Sequence, residues 1–266
     1  MELTEQVLER NGCPLHYWTG GIAGAPLVVF THGATIDHHE WDATLPVVGG
    51  FFQVMCWDLR GHGRSRPGNF TMEDARLDLL AILDRIGVTK AAFVGHSLGG
   101  NLHQELVFYN PERVSAMVIL DSTWNFQAIS ALDSLTLKML TPLLKLIPYP
   151  KLVDQSAALT ATAEESRKMV RRAMNILTRE EFIQIMQAAS QCLHVEPGYR
   201  IKKPLLLIVG DNDRTGNIRH IMPVWAEQEP NCRLEIIPHA LHAPNLDNPD
   251  LFHAILMTFL KEHRAG

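Results

Sequence analysis

Six short, mainly apolar runs, at residues 26–31, 51–57, 91–94, 114–120, 204–209 and 233–237, alternate with longer stretches of helical periodicity. This alternation constrains the fold of the 266-residue chain more than any other feature. Each run is too brief for a helix and suits a strand buried in a sheet. Segments 71–86, 98–109, 218–229 and 249–262 read as helices. In the first, Leu79, Ile82, Leu83 and Ile86 recur at helical spacing. Thr71 stands there as N-cap, and Glu73 and Asp74 occupy the first turn. Strands alternating with helices of this length predict an α/β fold, a doubly wound and mostly parallel β-sheet covered on both faces. Ahead of it, segments 6–10 and 14–18 flank Asn11-Gly12, a hairpin turn signal.

The alternation stops between residues 122 and 200. Segments 129–147, 163–177 and 179–193 all read as helices, with Pro142, Pro148 and Pro150 breaking or bending the first. A helical block between two strands of one sheet is expected to cap the strand ends, where open parallel sheets bind their ligands. The chain therefore divides into a core of residues 1–121 and 201–266 and a helical cap of residues 122–200. The apolar run from Met139 to Pro148 reads as the buried inner face of a cap helix, lining an apolar pocket, in preference to a membrane-seeking lid.

Hydrophobic content of 46%, charged content of 20% and a net charge of −5 describe an ordinary globular protein. With no long basic run, nucleic acid and anionic membrane are not expected partners. No apolar run reaches the length of a membrane span, and the acidic start, Met1 to Glu5, lacks a signal-peptide pattern. Cys13, Cys56, Cys192 and Cys232 are scattered, with neither zinc spacing nor a disulfide framework. A cytoplasmic location follows as the simplest expectation.

One strand–helix junction carries chemistry. The run 91–94 leads into Gly95-His96-Ser97-Leu98-Gly99 and then directly into a helix, so a serine sits at the apex of a sharp turn with glycines two residues to either side. Such a turn lifts the hydroxyl clear of the sheet and aims the Leu98 N–H toward an oxyanion formed there.

A base must come from thirteen histidines. His242 lies in a loop directly after the last strand and emerges at the same sheet edge as Ser97. His239 is nearer the strand end and reads as structural, while His38, His39, His220 and His263 look solvated. A carboxylate should follow the preceding strand to orient the imidazole. Gly210-Asp211-Asn212-Asp213 offers two, with Asp213 preferred for reach and Asp211 as the alternative acid, stabilising its turn. Asp121, after the run 114–120, is a more distant candidate. The order Ser…Asp…His is that of a doubly wound hydrolase. After the run 26–31, His32-Gly33-Ala34 can present the Ala34 N–H as a second oxyanion donor beside that of Leu98. The stretch Ile36-Asp37-His38-His39-Glu40 reads as a solvated helix start, not a metal site.

With these pieces in place the chain resembles the α/β-hydrolase superfamily, in the branch of serine esterases, haloperoxidase-like enzymes and carbon–carbon bond hydrolases. The matching segments are His32-Gly33-Ala34, the stretch from Asp58 to Ser65, the elbow around Ser97, Gly210 to Asp213 and the His242 loop. In that family the Asp58-x-Arg60-Gly61-x-Gly63-x-Ser65 pattern serves a structural turn near the site. Leu241 stands where the family commonly has glycine. Haloalkane dehalogenases and epoxide hydrolases of this fold carry aspartate at the elbow apex, so Ser97 argues against both.

The resemblance and the residues together imply a carboxylesterase-type serine hydrolase acting on an ester or similar acyl bond of a small to medium apolar molecule, with no cofactor and no metal. They also imply activity that rises with pH over about 6–7.5 as His242 loses its proton. The family leaves open carbon–carbon bond hydrolysis, cofactor-free perhydrolysis or haloperoxidation, and a slow or non-catalytic ligand receptor.

Overall fold

The computed structural model describes residues 1–128, 139 and 142–263. Eight strands form one sheet: β1 (Thr4–Arg10), β2 (Cys13–Gly21), β3 (Leu27–Thr31), β4 (Gln53–Trp57), β5 (Ala91–His96), β6 (Val114–Leu120), β7 (Leu205–Gly210) and β8 (Cys232–Ile237). Their order is β1-β2-β4-β3-β5-β6-β7-β8. β1 and β2 pair antiparallel, β2 meets β4 antiparallel, and every later pairing is parallel. The hairpin turns on Asn11 and Gly12, both at positive φ, as a two-residue connection with the twist of a right-handed sheet requires.

Side chains alternate between two cores. Val29, Met55, Phe93, Met117 and Leu207 face α2 (Met72–Arg85), α3 (Leu98–Tyr109) and α7 (Ile218–Gln228). Val28, Phe30, Val94, Val118 and Ile208 face α1 (Leu45–Gly49) and α8 (Pro249–Glu262) on the other side. Burial on both faces explains why these strands read as apolar runs without a polar stripe. α2 starts as its sequence predicts, with the Thr71 hydroxyl accepting from the Asp74 N–H.

The strand order reverses about β3. β4 lies on one side of it and β5 to β8 on the other, so the loops leaving the carboxyl ends of β3 and β5 part around a crevice. Thr31 and Gly95 are register partners at that edge. Open α/β sheets bind ligands at such a switch point.

Between β6 and β7 the described elements are helical: α4 (Tyr149–Thr160), α5 (Glu164–Asn175) and α6 (Arg179–Ala189). They share a third core of Leu152, Val153, Ala157, Val170, Met174 and Phe182, to which the β3 loop contributes Ile36. α4 corrects the sequence reading, in which Pro148 and Pro150 end a helix. Here they begin one, with Pro148 at the N-cap and Pro150 in the first turn, where a missing N–H costs nothing. Residues 142–146 are helical, while most of the predicted helix 129–147 lies outside the described residues. Its apolar run is only partly an inner face. Leu144 and Ile147 pack on the third core, whereas Leu143 and Leu146 are exposed, at 53% and 79%. Among the described residues no helix is long and apolar enough to cross a membrane.

Candidate active site

Ser97 joins β5 to α3 with φ 50° and ψ −113°, a conformation that a side chain adopts only under constraint. The glycines around it are demanded by space. A Cβ at Gly95 would lie 2.6 Å from the Gly99 backbone, and one at Gly99 would lie 2.3 Å from the Thr31 carbonyl oxygen. The elbow therefore exists because strand, turn and helix approach more closely than any other residue permits.

Ser97 Oγ is 3.0 Å from His242 Nε2, and His242 Nδ1 is 3.2 Å from Asp213 Oδ2. The three residues come from the ends of β5, β8 and β7, so sheet order alone brings them together. The second Asp213 oxygen accepts from the Thr215 N–H at 2.8 Å. Asp211 is turned away, its carboxylate accepting from the Asn212 side chain. His239 is exposed with φ 60°. At the position of Leu241, its N–H donates to Asp247 Oδ2 at 2.8 Å, and this bond shapes the loop without a glycine.

The electrostatics separate the charges. Burial alone would raise the Asp213 carboxyl, but the imidazole beside it pulls it down to about 2, so it is ionised. Burial holds His242 below its ordinary value despite Asp213, leaving a neutral ring able to accept a proton. Asp121, fully buried after β6, is the reverse. Burial and the neighbouring Asp213 push its carboxyl well above the usual range, and it accepts from the Gly210 N–H at 3.1 and 3.3 Å.

A cavity of about 200 Å³ opens beside Ser97 and His242. Ala34 and Thr35 form one wall, and Leu159, Val170, Met174, Phe182 and Met186 of the inserted helices form the other. Among the described residues no lysine, arginine, aspartate or glutamate lines it. The exposed apolar residues of the run 139–148 do not reach it.

The stretch 37–40 is not the solvated helix start its composition suggests. It is a short 3-10 helix, His38–Trp41, capped by Asp37 and buried at Asp37, Glu40 and Trp41. His38 stacks on Trp18 at 3.6 Å, and its Nδ1 is 2.8 Å from Asp58 Oδ1. Asp58 also accepts from the Arg64 N–H, and Arg60 forms two bonds to Asp78, so the segment from Asp58 to Ser65 is a braced turn. Asp37, His38 and His39 do bring three ligand-type atoms together, as do Asp121, Asp213 and His242. In both groups the side chains already take part in hydrogen bonds, that of His39 running from Nδ1 to Asp42 Oδ2 at 2.8 Å.

One pairing has no counterpart in the sequence reading, where Glu40 belongs to a solvated helix start. His96, within the elbow, and Glu40 meet in the interior beside His242. His96 carries a signal by adjacency to Ser97, but Glu40 has none, since its partner lies 56 positions away at the end of β5.

A family model described as "Alpha/beta hydrolase family" matches residues 28–255. The chain is 26% identical over 266 residues to 3-oxoadipate enol-lactonase 2 of Acinetobacter baylyi, covering 94% of this chain and 95% of that one. It is 23% identical over 286 residues to Epoxide hydrolase 4 of Homo sapiens, covering 96% of this chain and 78% of that one. The solved structure of the enol-lactonase from Burkholderia xenovorans LB400 is similar in fold, with a TM-score of 0.82 at 22% identity, covering 96% of this chain and 100% of that chain.

Proposed function

The chain belongs to the alpha/beta hydrolase family, and from that premise we propose that it is a serine hydrolase cleaving the carboxylic ester, or a similarly activated acyl bond, of a small, uncharged and apolar substrate. The observation that carries the reading is the 3.0 Å approach of Ser97 Oγ to His242 Nε2, with Asp213 behind the ring. His242 Nε2 takes the Ser97 proton as Oγ bonds to the substrate carbonyl carbon. The N–H groups of Leu98 and Ala34 hold the oxyanion. Protonated His242 then gives its proton to the departing alcohol, leaving the acyl group on Ser97. A water yields a proton to His242, its oxygen attacks the acyl carbon, and Ser97 leaves with that proton as the acid is released. Asp213 holds the ring in the tautomer this cycle needs.

Serine at the apex supports acyl transfer over epoxide opening. A carboxylate that opens an epoxide forms an ester that water can cleave, whereas a serine would form an ether with no carbonyl to attack. The cavity supports the substrate class. Its 200 Å³ is below the range of drug-sized sites, and among the described residues its walls are mainly apolar, with no lysine, arginine, aspartate or glutamate. Residues 122–200 serve as a cap over a core of residues 1–121 and 201–266, a division supported by the helices that wall the cavity. The four free thiols support a reducing, cytoplasmic setting.

The test is labelling with a fluorophosphonate followed by turnover on p-nitrophenyl esters of increasing acyl length. Stoichiometric labelling at Ser97 and turnover that falls off beyond short acyl chains are expected. Labelling without turnover on any ester would overturn the enzymatic reading in favour of a ligand receptor.

A further inference from the structure

We propose that the buried pair His96–Glu40 is a positioning unit that locks the base loop, the elbow and the oxyanion loop into one register. The inference rests on the serine-hydrolase reading. His96 and Glu40 side chains are 2% and 0% exposed, and Nδ1 and Oε1 approach to 2.6 Å. The contact is out of line for an ideal hydrogen bond, yet neither atom has another polar partner among the described residues. On its other edge, His96 Nε2 is 2.7 Å from the backbone carbonyl of His242. A carbonyl only accepts, so Nε2 carries a proton and donates it. One end of the pair therefore holds the backbone of the base.

The other end holds the oxyanion loop. Glu40 Oε2 accepts from the Gly33 N–H at 3.0 Å, one residue before Ala34. Gly33 is also a glycine because of His96, since a Cβ there would meet His96 Nδ1 at 2.8 Å. The chain thus passes from the Gly33 N–H through Glu40 and the His96 ring to the His242 carbonyl. It links loops that leave β3, β5 and β8, with the nucleophile adjacent to the central member. The ring centroids of His96 and His242 are 4.8 Å apart.

Stability alone is a weak reason for this arrangement. A buried ion pair is often matched or exceeded by apolar residues of similar volume, because both groups must be desolvated. Geometry is the stronger reason. Displacing a reacting group by about 1 Å costs on the order of 100-fold in rate, and the 3.0 Å gap between Ser97 and His242 depends on where the His242 backbone sits.

The experiment uses the full chain, a fluorophosphonate and p-nitrophenyl acetate. Wild type that neither labels nor turns over would remove the serine-hydrolase reading and this inference with it. Given wild-type turnover, His96→Phe, which fills the space without the donor, and Glu40→Leu should each lower kcat about 10- to 100-fold with KM within about threefold. Glu40→Gln should recover most of the turnover lost in Glu40→Leu, because an amide can accept from Gly33 and donate to a neutral His96. Folded His96→Phe or Glu40→Leu with wild-type kcat would overturn the proposal, as would Glu40→Gln as slow as Glu40→Leu. Should the apolar variants not fold, nitrogen NMR of histidine-labelled wild type decides. A protonated His96 Nε2 at every pH where the enzyme is folded is expected, and a deprotonated one overturns the link.

Discussion

The carboxyl groups of Asp121 and Asp213 lie within 4.8 Å of each other at the ends of adjacent strands β6 and β7, and their surroundings shift them in opposite directions, Asp121 upward and Asp213 downward. Two buried carboxylates at this spacing cannot both ionise cheaply. Asp213 has His242 and the Thr215 N–H to stabilise its charge, while the donor that Asp121 meets among the described residues is the Gly210 N–H. The charge is therefore favoured on Asp213 and disfavoured on Asp121.

That division has a stability signature. The folded pKa of Asp121 lies above its unfolded value of about 3.8, so the folded state binds the proton more tightly. Its contribution is full below that value and is lost as pH rises through the folded pKa. Asp121→Asn, which mimics the neutral acid, should flatten this part of the pH–stability curve and retain most of the turnover. Denaturation midpoints measured from pH 4 to 8 check it; an unchanged slope would show that Asp121 is ionised in the fold. Asp213 has the opposite sign, its stabilisation being present above 3.8 and lost as pH falls toward about 2.

Ser97→Ala should lower kcat by about 10⁴-fold or more on p-nitrophenyl esters, because the acyl-enzyme cannot form. Asp213→Asn should cost on the order of 10⁴-fold by fixing the wrong imidazole tautomer. Asp211→Asn, whose carboxylate bonds only to its own turn, should stay within about twofold, as expected of a surface change. Steady-state kinetics on the three variants separates the two acids.

Activity should rise with pH as His242 loses its proton. Burial lowers the pKa of that ring, so the acid limb of kcat/KM should fall below 6.5, at the bottom of or beneath the window of about 6–7.5 expected for a histidine base. A limb centred above 7 would mean that Asp213 outweighs burial.

Met186 lines the cavity from α6 and is only partly buried. Met186→Ala should enlarge the site and shift the best p-nitrophenyl ester toward longer acyl chains, at a stability cost below the roughly 2–5 kcal/mol of a fully buried truncation. An unchanged chain-length profile would place the acyl group against another wall.

Much of the architecture was legible because its signals are local. The Thr71 cap, the Asn11-Gly12 hairpin and the glycine-flanked turn at Ser97 each depend on a few neighbouring residues, and each appears where the residues put it. α4 was misread because proline has two opposite local meanings, ending one helix or opening the next, and only the packing of Leu152, Val153 and Ala157 shows which applies. The stretch 37–40 was misread because polar composition predicts exposure only when no buried partner waits, and here Asp58 and His96 do.

By itself the sequence determined the alternation of strands and helices, the two faces of the sheet and the strained serine turn, since periodicity and close glycine contacts are properties of short segments. The tertiary structure alone decided that Asp213 rather than Asp211 meets His242, that burial pushes the Asp121 carboxyl upward and that Glu40 reaches His96. Those outcomes follow from strand order and burial, which set the distance and dielectric between residues far apart in the chain and leave no mark on the spacing along it.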